Sequence, residues 1–210
     1  MSYLAFKDFY KRYLLYLKYP NRIKNLKTIL DNKTIAVVGN AESILNKNCG
    51  SEIDENDIII RINKGFIVKK DSQGSRTDIL TSSIELGSDV IEKEFPNLDA
   101  YIWLTPKISS LRTLPEIAKD KIFFYPFISW LKLYLKLKTR PTSGLMLIDY
   151  ILSNVNYKKI NIYGFDFFKT NSIQNEVTLE SLKDSTPHWF SGEEKYIHSL
   201  IEENKKIILH

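Results

Sequence analysis

The chain predicts a single Rossmann-like α/β domain, with a mostly parallel central sheet flanked by helices. Three observations predict it. Short β-branched or aromatic apolar runs recur along the chain, as continuous as strands buried on both faces. Helix-length polar or mixed segments separate them, which is the alternation of a parallel sheet with crossover connections. Several runs end in a turn built from Gly, Asn, Ser, Thr or Asp, as at the carboxyl rim of such a sheet. With 210 residues, 43% hydrophobic and 26% charged, there is enough apolar material for one sizeable core and too much for a disordered chain.

The elements follow in order. Up to about residue 30, Phe6, Phe9, Tyr10, Tyr13, Leu14 and Leu17 recur at three and four, among basic residues, until Pro20 interrupts the helix. Residues 34–38 are the first strand, and Gly39 lets the backbone turn and a ligand approach. A short helix is expected over 43–48. Residues 58–63, 77–81, 100–104 and 121–127 are further strands. The Leu/Lys stretch at 131–140 alternates strictly and favours an amphipathic strand, though both residue types also form helices. It is expected to be a solvated edge, a lid or a cationic surface. A buried helix follows Gly144 over 145–152, then a strand at 159–163, a helix over 193–203 and a final strand at 206–209. No internal repeat or second-domain linker interrupts this order.

Charge divides the chain into a basic amphipathic arm, 1–33, and a body, 34–210. The arm holds eight Lys or Arg against two Asp, and the body 22 basic residues against 23 acidic. The arm predicts either a helix packed on the body or one lying on an anionic membrane surface. Basicity confined to one arm, with no nucleic-acid motif, argues against a nucleic-acid partner. The arm has neither the uninterrupted apolar core of a signal peptide nor the length of apolar sequence that spans a bilayer. The single cysteine, Cys49, allows no intrachain disulfide and predicts a reducing, cytoplasmic setting, peripheral on the inner membrane if the arm binds lipid.

Four polar clusters close apolar runs and are expected to converge on one rim. They are Gly39-Asn40 with Ser43, Arg61 with Asn63, Thr142-Ser143-Gly144, and Asp166 after Tyr163-Gly164-Phe165. Thr142 or Ser143 as a helix cap leaves backbone N–H groups free for an anion. His188, in a loop before Glu193, is the candidate general base; outside a site it is a surface or capping residue. The three histidines are too dispersed for zinc, and no Asp-x-Asp is present to hold a divalent metal on a sugar diphosphate. No cofactor and no metal are expected.

These residues carry a resemblance. Val37-Val38-Gly39-Asn40-Ala41, Cys49-Gly50-Ser51-Glu52-Ile53-Asp54, Asp57, Arg61-Ile62-Asn63 and Gly74-Ser75-Arg76-Thr77-Asp78 resemble the large motif of glycosyltransferase family 29, the eukaryotic-type sialyltransferases. Pro141-Thr142-Ser143-Gly144-Leu145-Met146, with Ile160 to Phe165, resembles the small motif, and His188 with Glu193 the very small one. The G-N and T-S-G turns also resemble those of a separate family of bacterial sialyltransferases. Ala41 stands where Ser is usual, and the family's inter-motif disulfide cannot form here, which implies a short bacterial form.

The resemblance implies a GT-A-like variant of the sheet and an inverting, metal-independent transferase. Its donor would be a CMP-activated acidic sugar, sialic acid or Kdo, and its acceptor a glycan or glycolipid of lipopolysaccharide or capsule assembly. By the same resemblance Asn40 and Asn63 contact the phosphate and ribose, and Ser143 and Gly144 hold the cytidine or the sugar carboxylate. His188 deprotonates the acceptor hydroxyl, and Glu193 orients the loop or the His. The alternative is a nucleotide- or glycan-binding module without catalysis inside a polysaccharide-assembly complex.

Overall fold

In the computed structural model, which describes residues 17–19, 22–105, 116–173 and 190–210, seven strands form one sheet. They are β1 (Thr34–Val38), β2 (Ile58–Ile62), β3 (Ile79–Ser82), β4 (Ala100–Trp103), β5 (Ile122–Phe124), β6 (Lys159–Tyr163) and β7 (Ile207–Leu209). Their spatial order is β5-β4-β3-β2-β1-β6-β7, and every pair is parallel. The chain builds outward from β1 to β5, then returns to the other side of β1 with β6. That reversal is the topological switch point, where the carboxyl ends of β1 and β6 open a crevice.

Alternate residues of each strand face opposite sides, and both sides are covered. On one side Ile35, Val37, Ile58, Ile60, Ile62, Ile79, Ile102, Ile160 and Ile162 form the main core cluster. Helices α6 (Phe127–Leu137), α7 (Ser143–Asn154) and α8 (Phe190–Glu203) contribute Leu133, Leu137, Leu145, Ile148, Ile151 and Ile197 to it. Each such side chain, removed from water, contributes about 1.5–3 kcal/mol. Leu26 and Leu30 join the same cluster, Leu30 from α1 (Lys27–Leu30), so this part of the basic arm is packed on the body. Residues 1–16, 20 and 21 of the arm lie outside the described residues.

The other side holds two smaller clusters. One joins Ala36, Val38, Ile59 and Tyr163 to Ile44 of a 3-10 turn, Glu42–Asn46, and Ile53 of α2 (Gly50–Asp54). The second joins Leu80, Tyr101, Trp103 and Phe124 to Ile91 of α4 (Ser88–Glu94) and Ala118 of α5 (Glu116–Lys119). In strand register Arg61 stands between Val38 of one cluster and Leu80 of the other.

Where a strand was expected over 131–140, residues 131–137 instead belong to α6. Its buried leucines, Leu133 and Leu137, are four apart, the spacing of one helical face, while Leu135 is exposed. Lys138, in the left-handed region at φ 59°, ends the helix. Elsewhere the expected elements are present with ends shifted by a few residues. The short helix α3 (Lys70–Gln73) and α2, α4 and α5 were not anticipated.

Candidate functional site

A cavity of about 650 Å³ occupies the crevice at the switch point. Its wall begins where β1 ends. Gly39 N donates to the Tyr163 carbonyl at 2.8 Å and Ala41 N to the Gly164 carbonyl at 3.1 Å, so the β1 and β6 loops run together past the strands. A Cβ on Gly39 would stand 2.5 Å from the Gly164 carbonyl oxygen and 2.8 Å from the Phe165 ring. A Cβ on Gly164, at φ +65°, would stand 2.8 Å from the Gly39 carbonyl oxygen, so both positions need the absent side chain.

Asn40 and Asn63 line the cavity next to each other. Asn40 Nδ2 donates to the Ile62 carbonyl at 2.8 Å, which ties the β1 turn to the end of β2. Asn63 has φ 53°, a left-handed conformation that Asn adopts more readily than most residues. Its Oδ1 accepts from Ser83 N at 2.9 Å and from Ser82 Oγ at 3.3 Å. Its Nδ2 reaches Ser143 Oγ at 3.5 Å, and Ser143 Oγ donates to Ser83 Oγ at 2.8 Å.

Helix α7 meets this wall end-on. Thr142 is its cap, with Oγ1 accepting from Leu145 N at 3.3 Å. The first-turn N–H groups of Ser143 and Gly144 have no acceptor within the helix, and both residues line the cavity. The positive end of the helix dipole therefore faces the space between Asn40 and Asn63. A Cβ at Gly144 would overlap the Phe165 ring, so glycine lets the helix start close to the β6 loop.

Glu193, from the first turn of α8, buttresses the cap. It accepts from Thr142 N at 2.8 Å and from Thr142 Oγ1 at 2.5 Å. Burial pushes its carboxyl up to about 7, and the two Thr142 bonds act against that rise. Asp166 also lines the cavity, but its carboxylate serves its own loop. It accepts from Lys169 N at 3.2 Å, Thr170 N at 3.0 Å, Thr170 Oγ1 and Ser43 Oγ at 3.1 Å. This knot holds Phe167 and Phe168 at φ 56° and 63°, a left-handed pair that costs on the order of 1 kcal/mol or more per residue.

The structure thus brings Gly39, Asn40, Asn63, Thr142, Ser143, Gly144, Asp166 and Glu193 to one cavity. Ser43 is not on the wall; it stands behind Asp166, with its N–H donating to Thr170 Oγ1 of the loop at 3.2 Å. Arg61 is not on the wall either. It is fully buried on the opposite face of β2 from Ile60, where Nε and Nη2 donate to Thr77 Oγ1 and the Gln73 and Arg76 carbonyls at 2.7–3.2 Å. Burial lowers its pKa to about 10, against the pull of Asp54 and Asp78. It supports the loop after β2 from below. His188 lies outside the described residues, but Phe190, two residues on, lines the cavity.

The cavity also has a wall that the sequence did not single out. Ser83, Trp130, Arg140, Phe165, Phe167, Phe168 and Phe190 belong to it, and Arg140 is the one basic residue on it among the described residues. Ser83 was legible as the first polar residue after β3, by the same rule that found Asn63. Arg140 lies in the segment expected as a strand over 131–140, and Trp130 stands just before it, where no element was expected. Among the described residues no three His, Cys, Asp or Glu side chains gather as metal ligands would.

A model of glycosyltransferase family 29 (sialyltransferase) matches residues 5–121. Among solved structures, a mammalian sialyltransferase in complex with Gal-β-1-3GalNAc-ortho-nitrophenol superposes with a TM-score of 0.62 at 20% identity, over 88% of this chain and 71% of that one. The sialyltransferase CstII from Campylobacter jejuni, in complex with the substrate analogue CMP-3FNeuAc, superposes with a TM-score of 0.58 at 14% identity, over 84% and 80%. At such identities the likeness to these two structures is one of fold.

Proposed function

The chain belongs to glycosyltransferase family 29 (sialyltransferase), and from that premise we propose that it moves sialic acid or a related acidic sugar such as Kdo from a CMP donor to a glycan acceptor. The observation that carries the proposal is the convergence of Asn40, Asn63 and the α7 N-terminus on the switch-point cavity. Backbone N–H groups at a helix start suit a phosphate monoester, and paired asparagines suit ribose hydroxyls. Arg140 adds positive charge for an anionic donor. CMP leaves with less charge than a nucleoside diphosphate, so a helix dipole, neutral donors and Arg140 suffice without a metal.

His188 serves as the general base. It takes the proton of the acceptor hydroxyl as that oxygen attacks the anomeric carbon. The bond from this carbon to the phosphate oxygen breaks on the opposite face, CMP departs, and the configuration inverts. The transition state is oxocarbenium-like. Glu193, five residues on, ties the start of the following helix to Thr142.

A thermal-shift series with CMP, CDP, UDP and GDP, each with and without magnesium, tests this. A ligand at a hundredfold excess over Kd stabilises by about 2.7 kcal/mol, a rise of roughly 5–10 °C for a chain of this size. CMP alone should give that rise, and magnesium should not change it. Preference for UDP with metal would overturn the proposal. In the same preparation His188→Ala should abolish transfer from CMP-sialic acid and CMP-Kdo while keeping the CMP shift. Wild-type binding without turnover would identify a non-catalytic module.

A further inference from the structure

Helix α6 carries a surface that sugar transfer does not use. Ile128, Leu131 and Leu135 fall at i, i+3 and i+7, one stripe of the helix. Ile128 is 58% exposed and Leu135 is 65% exposed, while the core is served by Leu133 and Leu137 instead. Exposed Lys132 and Lys136 flank the stripe on one side. On the other, Phe127, Trp130 and Tyr134 stack in series, with ring centroids 5.9 and 5.2 Å apart. Residues 127–140 hold Lys132, Lys136, Lys138 and Arg140 and no acidic residue.

The position of this helix matters as much as its composition. It leaves the carboxyl end of β5 and returns the chain to Thr142, so it lies along the rim that holds the cavity. Trp130 and Arg140 belong to both the helix segment and the cavity wall. Ile84 and Phe168, 40% and 42% exposed, sit on the loops after β3 and β6 and add apolar groups to the same rim.

We propose that this face docks on an anionic membrane surface, with the cavity mouth at headgroup level. An apolar stripe enters the acyl boundary, lysines beside it reach phosphates, and a Trp–Tyr stack suits the interface depth. Lys132 and Lys136 flank the apolar stripe without interrupting it, Lys136 with its Nζ over the Tyr196 ring at 3.9 Å, and Lys138 caps the helix end, an arrangement complementary to a lipid surface with charge above and hydrocarbon below. Docking there presents the cavity to a lipid-linked glycan. That acceptor class rests on the proposed transferase function; the docking does not.

Sedimentation of the full chain with vesicles tests the docking. Phosphatidylcholine–phosphatidylglycerol vesicles should bind it and phosphatidylcholine vesicles should not, with binding weakened by high salt. Ile128→Ser with Leu135→Ser should lower the partition coefficient about tenfold or more. Lys132→Gln and Lys138→Gln should each lower it about fivefold. All four positions are exposed and off the cavity wall, so the CMP-induced thermal shift should be unchanged, which also confirms folding. Loss of that shift in wild type, with the vesicle pattern intact, would remove the transferase reading and leave the docking. The docking is overturned if wild type ignores anionic vesicles or if the α6 variants bind like wild type. It is also overturned if sedimentation velocity shows a dimer that Leu135→Ser dissociates.

Discussion

Glu193 couples the cap of α7 to pH. Its carboxyl is buried against the start of α7, and burial raises it to about 7. The folded chain therefore holds this proton more tightly than the unfolded chain does. The stabilisation is fully present below the ordinary carboxylate pKa and is lost as pH rises through about 7. Glu193→Gln keeps an oxygen acceptor for Thr142 N and removes the titration. Urea unfolding of wild type should show a decline on the order of 2 kcal/mol between about pH 5 and 8 that the Gln variant lacks. Parallel pH profiles for the two proteins would show that Glu193 does not supply it. Arg61 teaches the complementary lesson. It closes an apolar run just as Asn63 does, but strand residues alternate, and Ile60 and Ile62 already occupy the α6–α8 side. Parity alone would have sent Arg61 to the other face, away from the rim.

At the scale of elements, α7 brings its free first-turn N–H groups to the cavity, and its closeness to the β6 loop depends on Gly144. In an open helix Gly→Ala stabilises by about 1 kcal/mol. Here the added methyl overlaps the Phe165 ring, so Gly144→Ala should instead destabilise by about 1–3 kcal/mol and weaken CMP binding. A raised Tm with undiminished CMP shift would refute this. The central strands were legible because strands buried on both faces read as unbroken apolar runs, as Ile58-Ile59-Ile60 does. Helix α6 was not, because it points leucines both inward and outward: Leu133 and Leu137 to the core, Leu131 and Leu135 to the rim. Interleaved with Lys132, Lys136 and Lys138, that produces a period of two without a strand. The four-residue helices α3 and α5 are too short to show any period.

The whole molecule places its best-protected backbone under the site. β1 has strands on both sides and both of its faces are buried. Amide exchange at Ile35–Val38 and their β6 partners should therefore proceed only through global unfolding, while the 164–172 loop exchanges through local opening. Exchange of β1 amides as fast as loop amides would contradict the sheet order. The convergence of sites on one rim was legible from the turn residues that end the strands. Which segments meet across the cavity was not, because that depends on β6 returning beside β1, a choice no local pattern encodes.

That return has a temporal consequence. Lys159 lies 125 residues after its partner Thr34. On a ribosome adding about 5–20 residues per second, β1 waits roughly 6–25 s for β6. Until then, Ile35, Ala36, Val37 and Val38 form the open, wholly apolar border of a half-built sheet, the kind of border that recruits strands from other chains. The nascent protein is thus most exposed to misassembly at the strand around which its pocket will later close.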